Sequence, residues 1–420
     1  MNDAALPARR HRRTLLDLRH RRTLLAAAAL ACAATAATTI ASAASTASPA
    51  GADGRPRALA AQQVGNSASL TVVPGVRIWT QGWRTPGGSY ERSSLMSVDL
   101  TKKNVSLDTA SAHGVMNSGY LPVRQMILGS GAVAGINGDF FNLGTSTGVT
   151  YGGIVHAGSI WKTPPRGLRA NLYVRANRTA GIGPIDYTGT VKVTSKVHYA
   201  LHSVNTVKDA ANGFITEITS HLDGTSLPAN CAVAVAKRGS GSSVRIVRLV
   251  KKTPSRFRLA ELPSSQVAFA GCYNAATWIG AALRVGTRAQ ASGGFTSGRL
   301  YSLVSGAEVL LHNGQDVYDN TGHGIRGHNA ETFACVSKDA KHLLLGTVDD
   351  IGGWWGGGVT MAQLRAYLST QGCYNAMALD GGGSSTLDYR YPGSSTVTTV
   401  NSPADGAERW IPDSFLVYSR

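Results

Sequence analysis

Beyond residue 43 the chain has no apolar run of the roughly 20 residues a membrane span needs, so no stable membrane insertion is expected there. It has no C-x-x-C pair, which argues against zinc. No G-x-x-x-x-G-K-[ST] stretch is present, which excludes a P-loop. No loop has EF-hand spacing, so a divalent cation has no supporting motif and no cofactor is expected. Charge is scarce at 15%, and acids are scarcer than bases, 24 against 41, leaving a formal +17. What is abundant is glycine: 49 residues, with 43% hydrophobic content, suggest turns and β-structure more than long helices.

The first segment reads as export machinery. It has an arginine-rich start, an Ala/Leu run and a small-residue end at Ala41-Ser42-Ala43, the three-part pattern of a signal peptide over residues 1–43. Arg21-Arg22 ahead of Leu24-Leu25 also permits twin-arginine export, and an uncleaved anchor is the alternative. Residues 44–67 are Ala/Ser/Gly/Pro-rich and read as a flexible leader, followed by one domain over 68–420. Loss of 1–43 removes seven arginines and two aspartates, so +17 falls to +12. A secreted or wall-associated protein of that charge is drawn to anionic polymers, such as wall phosphodiesters, phosphorylated glycans or nucleic acid. Four cysteines remain: Cys231, Cys272, Cys335 and Cys373. In an exported chain they suggest two disulfides with three possible pairings. Proximity favours Cys231–Cys272 and Cys335–Cys373.

Residues 168–300 form a strand-patterned middle section, with a helix over "NAATWIGAALRVG". Residues 301–420 read as a better-defined core. "HLLLGTV" is a buried strand ending on Asp349-Asp350. "TMAQLRAYLSTQG" is a helix with a capping box, Thr360 and Gln363, and a stop at Gly372. "NAMAL" is a second buried strand ending on Asp380. Strand, helix, strand predicts a βαβ unit with parallel strands, which places Asp349 and Asp380 on one carboxyl edge. The expected fold is α+β: a mixed β-rich domain carrying this C-terminal βαβ unit.

Gly381-Gly382-Gly383-Ser384 follows Asp380 directly. Its backbone N–H groups could form an anion-binding nest. Ser384 and Ser385 do not sit in G-x-S-x-G, so this is no nucleophile elbow. In "AGINGDFFNLGTSTG", Asn137 and Asp139 follow a buried strand, and Phe140-Phe141 could wall a sugar pocket or fill a core. Near the end, Glu408 and Arg409 are adjacent. His323 and His328 match no metal spacing.

Together, "AGINGDFFN", "LVSGAEVLLHNG", "HLLLGTVDD", "NAMALDGGGSSTL" and "VNSPADGAERWIPDSF" stand in an order that resembles the phosphodiester glycosidase family from about Val73 onward. The resemblance implies a glycosidase-like domain that cleaves between a sugar's anomeric carbon and a phosphodiester oxygen. It implies catalytic roles for Asp380 and Asp349. It implies substrate binding by Asn137, Gly138, Thr147, Gly148, Ser305, Gly306, Gly381, Gly382, Gly383, Ser384 and Arg409, to which Asp139 is added from its place after a buried strand. One departure stands out. Where the family's run reads Arg-Thr-Ala, this chain has Glu331-Thr332-Phe333, and its V-D-G becomes Val348-Asp349-Asp350. The expected activity is hydrolysis of the sugar–phosphate bond in glycans or cell-wall polymers. The alternative is a non-catalytic protein binding anionic wall glycopolymers on the same fold. A nuclease or phosphatase ranks last, for want of a two-metal carboxylate cluster, so nucleic acid is not the expected partner.

Overall fold

Antiparallel pairing dominates the chain, because its apolar residues alternate along short strands broken by glycine turns. The computed structural model describes residues 61–144, 147–167, 170–222, 224–317, 327–352 and 356–420. The signal segment, most of the leader and His323 lie outside them. The leader ends earlier than expected, because Gln62–Asn66 already form a strand on the edge of Val76–Arg84. Its side chains are exposed, and backbone pairing holds it there together with a hydrogen bond from Gln81 Nε2 to Asn66 Oδ1 at 3.0 Å.

A nine-stranded sheet forms the centre. Its order runs Val76–Arg84, Tyr90–Asp99, His342–Val348, Glu331–Val336, Asn375–Ala378 and Glu308–His312, with short strands at the margins. A five-stranded sheet faces it, including Leu387–Tyr389, Ala134–Asn137, Asp413–Ser419 and Val105–Ser111. Val98, Ile136, Leu345, Met377, Phe415 and Val417 fill the space between them. On the outer face of the large sheet lies the helix Met361–Thr370, whose Leu364, Tyr367 and Leu368 pack on Trp83, Leu95 and Phe333. The Trp83 and Tyr367 rings stack at 4.2 Å, and Tyr367 Oη donates to Gln81 Oε1 at 2.5 Å. The capping box is formed, with Thr360 and Gln363 bonding reciprocally. The described residues contain no helix long and apolar enough to cross a membrane.

The βαβ expectation is corrected in one respect. His342–Val348 and Asn375–Ala378 run the same way but do not pair. Glu331–Val336 lies between them, antiparallel to both. Its residues are buried on both faces, and its place in the centre comes from sheet pairing that local pattern does not reveal. The 301–420 segment is likewise not self-contained. Asp413–Ser419 pairs with Val105–Ser111 and Ala134–Asn137, and His342–Val348 pairs with Tyr90–Asp99.

The middle section closes into a seven-stranded barrel from Tyr187–Lys192 to Arg288–Phe295. Its interior holds Leu201, Ile215, Ala234, Ile246 and Phe269, with Ala275 and Ile279 of the helix Tyr273–Ala282. The disulfides are Cys231–Cys272, across two paired barrel strands, and Cys335–Cys373, tying Glu331–Val336 to the turn after the capped helix. Both match the pairing that proximity favours.

Candidate active site

Two strand ends, one from each facing sheet, are stitched together at Asp380. Asn137 closes the Ala134–Asn137 strand and is 1% exposed. Its Nδ2 donates to the Asp380 carbonyl at 2.7 Å, while its Oδ1 accepts from Thr332 Oγ1 at 2.7 Å and the Thr386 amide at 3.1 Å. The Asp380 amide in turn donates to the Gly138 carbonyl at 3.2 Å. The Asn137 side-chain amide is thus engaged in joining the two sheets at Asp380. Gly138 is needed for close approach: a Cβ there would stand 2.7 Å from the Asp413 carboxylate.

Three buried acids and the half-buried Asp380 gather around this seam. Burial pushes Asp380 up to about 7, with the neighbouring Asp139 charge adding to the rise and Ser384 and Arg409 opposing it. Burial raises Asp139 to about 6 against a hydrogen bond from the Gly152 amide and the charge of Lys162. Asp413, fully enclosed, is raised well above the carboxylate range by burial and then by Asp139, and its Oδ1 accepts from the Asp139 amide at 3.0 Å. Glu331 is 0% exposed, and neither carboxylate oxygen has a hydrogen-bond partner among the described residues. Burial, reinforced by Asp380, raises it well above its usual range. Beside them Lys162 is lowered to about 8 by burial. No group of three or more potential metal ligands is assembled among the described residues.

Asp349 is also fully buried, but it occupies a separate place on the same edge. Its Oδ2 accepts from Arg92 Nη1 at 3.2 Å and its Oδ1 from the Ser402 amide at 3.3 Å. Burial raises it to about 6 against the Arg92 charge. The strand register sets Glu331 opposite Val348, while the Leu379 amide donates to the Thr332 carbonyl. Position 331 therefore stands on the edge between Asp349 and Asp380. Glu91, raised to about 7 by burial and then by Asp350, extends this acidic edge.

The glycine turn does not offer the open nest its sequence suggests. Gly382–Ser384 winds into a 3-10 turn, and the amides of Gly382, Ser384 and Ser385 donate to the carbonyls of Ala330, Gly381 and Gly382. The physical reason is local: a 3-10 turn directs its N–H groups onto its own carbonyls. The Gly381 amide hydrogen-bonds the Asp380 carboxylate, and the residue also serves close packing, since a Cβ would meet Glu331 Oε2 at 2.6 Å. At Gly383 a Cβ would collide with Arg409 and Asp405. Arg409 Nη1 donates to Ser384 Oγ at 3.3 Å and its Nε to Asp405 at 2.8 Å. With Ser384 also bonded to the Asp380 carboxylate, a relay Arg409–Ser384–Asp380 results. Glu408 turns the other way, to an ion pair with Arg124.

The remaining sequence-derived residues divide. Ser305 is buried, donating to Asn171 Oδ1 at 2.7 Å and accepting from the Gly153 amide at 2.8 Å. Gly306 lies where a Cβ would strike the Ala378 carbonyl. Both are framework. Gly148 has φ +64° and packs on the Gly119 backbone, while Thr147 is exposed. Phe141 packs on Tyr120 at 5.4 Å, and His328 Nδ1 contacts the Gly358 carbonyl at 3.0 Å. Sequence reading missed Asp413, Lys162 and Arg92. Asp413 carries a usable signal, an aspartate heading the apolar "SFLV", whereas Lys162 and Arg92 carry none. Two clefts, of about 260 and 360 Å³, are lined by none of the acids at this seam.

Comparison with known proteins gives a family match over the last third of the chain. Residues 280–418, which hold Glu331, Asp349, Asp380, Arg409 and Asp413, match the family model of phosphodiester glycosidases. No curated protein matches the chain. Among solved structures, a Synechocystis protein shares the fold at TM-score 0.70 and 17% identity, over 84% of this chain and 63% of its own, so this chain spans less than two thirds of that one. A Burkholderia pseudomallei protein described as exported follows at TM-score 0.60 and 18% identity, over 79% of this chain and 74% of its own. The catalytic domain of zebrafish N-acetylglucosamine-1-phosphodiester alpha-N-acetylglucosaminidase, auto-inhibited by its pro-peptide, aligns at TM-score 0.43 and 14% identity, over 86% of this chain and 89% of its own.

Proposed function

We propose that this protein is a secreted hydrolase that cleaves the sugar–phosphate bond of glycosyl phosphodiesters in a phosphorylated glycan or anionic wall polymer. The observation that carries the reading is Asp380. It is a carboxyl raised to about 7, held at the seam of two sheets, with the cation of Arg409 relayed through Ser384, inside the segment matching the family. Export rests on the signal-like residues 1–43 and on the two disulfides.

The chemistry follows from the leaving group. A phosphate monoester departs from an anomeric carbon as a stable anion and needs little protonation, unlike a sugar alcohol. The site must therefore supply a base and a countercharge more than a strong acid. Asp380 takes a proton from water as the water oxygen bonds to the anomeric carbon. The carbon–oxygen bond breaks, and its electron pair leaves on the phosphate oxygen. Arg409 offsets the charge that develops there. Asp349 holds Arg92 and the Ser402 amide, so its role is positioning.

The test is hydrolysis of a defined glycosyl phosphodiester in ¹⁸O-water with mass spectrometry of both products. Label in the sugar is expected. Label in the phosphate overturns the assigned bond, and absence of products favours the binding-protein reading, to which the buried acid at 331 lends its support.

Position 331 gives a second test. A protonated Glu331 beside Asp380 is mimicked by Gln, so Glu331→Gln should leave turnover near pH 7 within about threefold. Glu331→Arg places a cation there. It should lower the KM for simple sugar phosphodiesters and shift the rising limb of the pH–rate profile to lower pH by about one unit, since an adjacent cation favours the carboxylate. An unchanged KM in a folded variant counts against position 331 as a specificity determinant.

A further inference from the structure

The positive charge of this protein is not at its acidic seam. Residues 296–420 carry 8 Lys and Arg against 12 Asp and Glu, a formal −4. The barrel segment, 187–295, carries 13 against 4, a formal +9. Residues 44–186 carry 13 against 6, a formal +7 over a longer stretch, so the barrel segment is the most basic part of the chain beyond residue 43.

Strand register refines it. On the barrel's outer face Lys237 pairs directly with Arg245, and Arg245 with Arg288. The next outward row brings Lys192 opposite Gln290, two residues along from Arg288. Arg248 lies opposite Val235, beyond Arg245 on its strand. All five side chains are exposed. None takes part in any of the described ion pairs, and the four strands that carry them contain no Asp or Glu. Like charges directly opposite on a sheet destabilise it unless something else neutralises them. The same outward face is apolar at Val233, Val235 and Ala268, where it packs on the body through Ile154 and Trp161. It turns cationic where that packing ends. The strand Ser243–Val250 then runs into Lys251-Lys252, which with Asn230 and Tyr273 line an open groove of about 580 Å³. Tyr273 is 74% exposed there and offers a ring face to a sugar.

We infer that this face of the barrel is a docking surface for a polyanionic glycan, a chain of sugars joined by phosphodiesters, separate from the seam that would cut it. Successive phosphates match the row of cations at cross-strand spacing, while Tyr273 and Lys251-Lys252, at the far end of the Cys231–Arg238 strand, suit a sugar and a phosphate further along the polymer. The inference rests on the proposed function for the identity of the glycan. It assigns polymer capture to the barrel and leaves bond cleavage to Asp380.

The experiment separates the two. Binding of a poly(N-acetylglucosamine 1-phosphate), whose sugars are joined through anomeric phosphodiesters, is measured by calorimetry at several salt concentrations, with Asp380→Asn in every protein so that the polymer stays intact. Lys237→Gln/Arg245→Gln/Arg288→Gln is compared with a charge-matched control, Arg77→Gln/Lys103→Gln/Lys338→Gln, at exposed positions off the barrel. Unchanged thermal melting confirms that both fold. The barrel triple is expected to weaken binding at least about tenfold and to reduce the slope of log K against log salt by about 2, with less than about threefold loss in the control. Equal loss in both, no loss in the barrel triple, or no binding by the parent overturns the docking surface. Equal or tighter binding of single-stranded DNA of the same length overturns the glycan as its occupant. With Asp380 intact, the barrel triple should keep its turnover of a small glycosyl phosphodiester and lose it on polymer through KM. If small-substrate turnover is absent throughout while the binding difference persists, the hydrolase reading fails and the docking surface stands.

Discussion

Asp380→Asn lowers kcat for a glycosyl phosphodiester by about 10²–10⁴-fold, the range for removal of a positioned acid–base group, with KM little changed. The variant retains the seam, because Asn137 holds the Asp380 backbone carbonyl and not its side chain. Thermal melting near pH 7 should therefore be preserved. In the parent protein, kcat/KM should rise with pH through about 7 as Asp380 ionises. Asp349→Asn provides the contrast. It loosens Arg92 and the Ser402 amide and should cost less turnover than Asp380→Asn, although the two residues are indistinguishable by sequence spacing. Near-normal kcat in Asp380→Asn would remove Asp380 from the reaction. A larger loss in Asp349→Asn would reverse the roles.

The folded protein is most stable in mild acid and loses stability as pH rises from about 4 through about 7. Burial raises Asp139 and Asp349 to about 6 and Asp380 and Glu91 to about 7, and it raises Glu331, Asp388 and Asp413 well above the usual carboxylate range. Between the unfolded value of about 4 and these folded values, the native chain holds protons that the unfolded chain has released. Stability then falls with pH, since it rises only where the unfolded state binds more protons. Every tenfold gain in proton affinity on folding is worth about 1.4 kcal/mol, and relaxation around the buried groups reduces it. Lys162 acts in the opposite sense at higher pH: lowered to about 8, it restores some stability between 8 and its unfolded value. Melting curves should show a Tm higher by at least about 5 °C at about pH 5 than at about pH 8. A Tm that rises steadily across that range would mean that these acids are not buried as protonated groups.

Local pattern reached far into this protein. Alternating apolar runs marked the strands, and a threonine three residues ahead of a glutamine marked the capped helix. Export context and proximity pointed to both disulfides, and Leu379-Asp380-Gly381 marked a strand that ends on a carboxylate. Such features depend on neighbours a few residues away, so the sequence alone can state them. Position 331 was legible only as a departure from a resembling pattern.

Tertiary structure decided the rest. Glu331–Val336 slots between two strands that local reading would pair. That insertion sets an acid with no hydrogen-bond partner among the described residues between Asp349 and Asp380. Asn137 meets Asp380 across 243 residues of chain, and Arg92 meets Asp349 across 257. The anion nest closed onto its own carbonyls because the turn became 3-10. Five basic residues from four strands are brought onto one barrel face by the register of those strands. Sequence thus determined which residue types stand at strand ends and turns. Pairing between distant strands determined which of them share a site, because such pairing depends on the whole sheet and leaves no local trace.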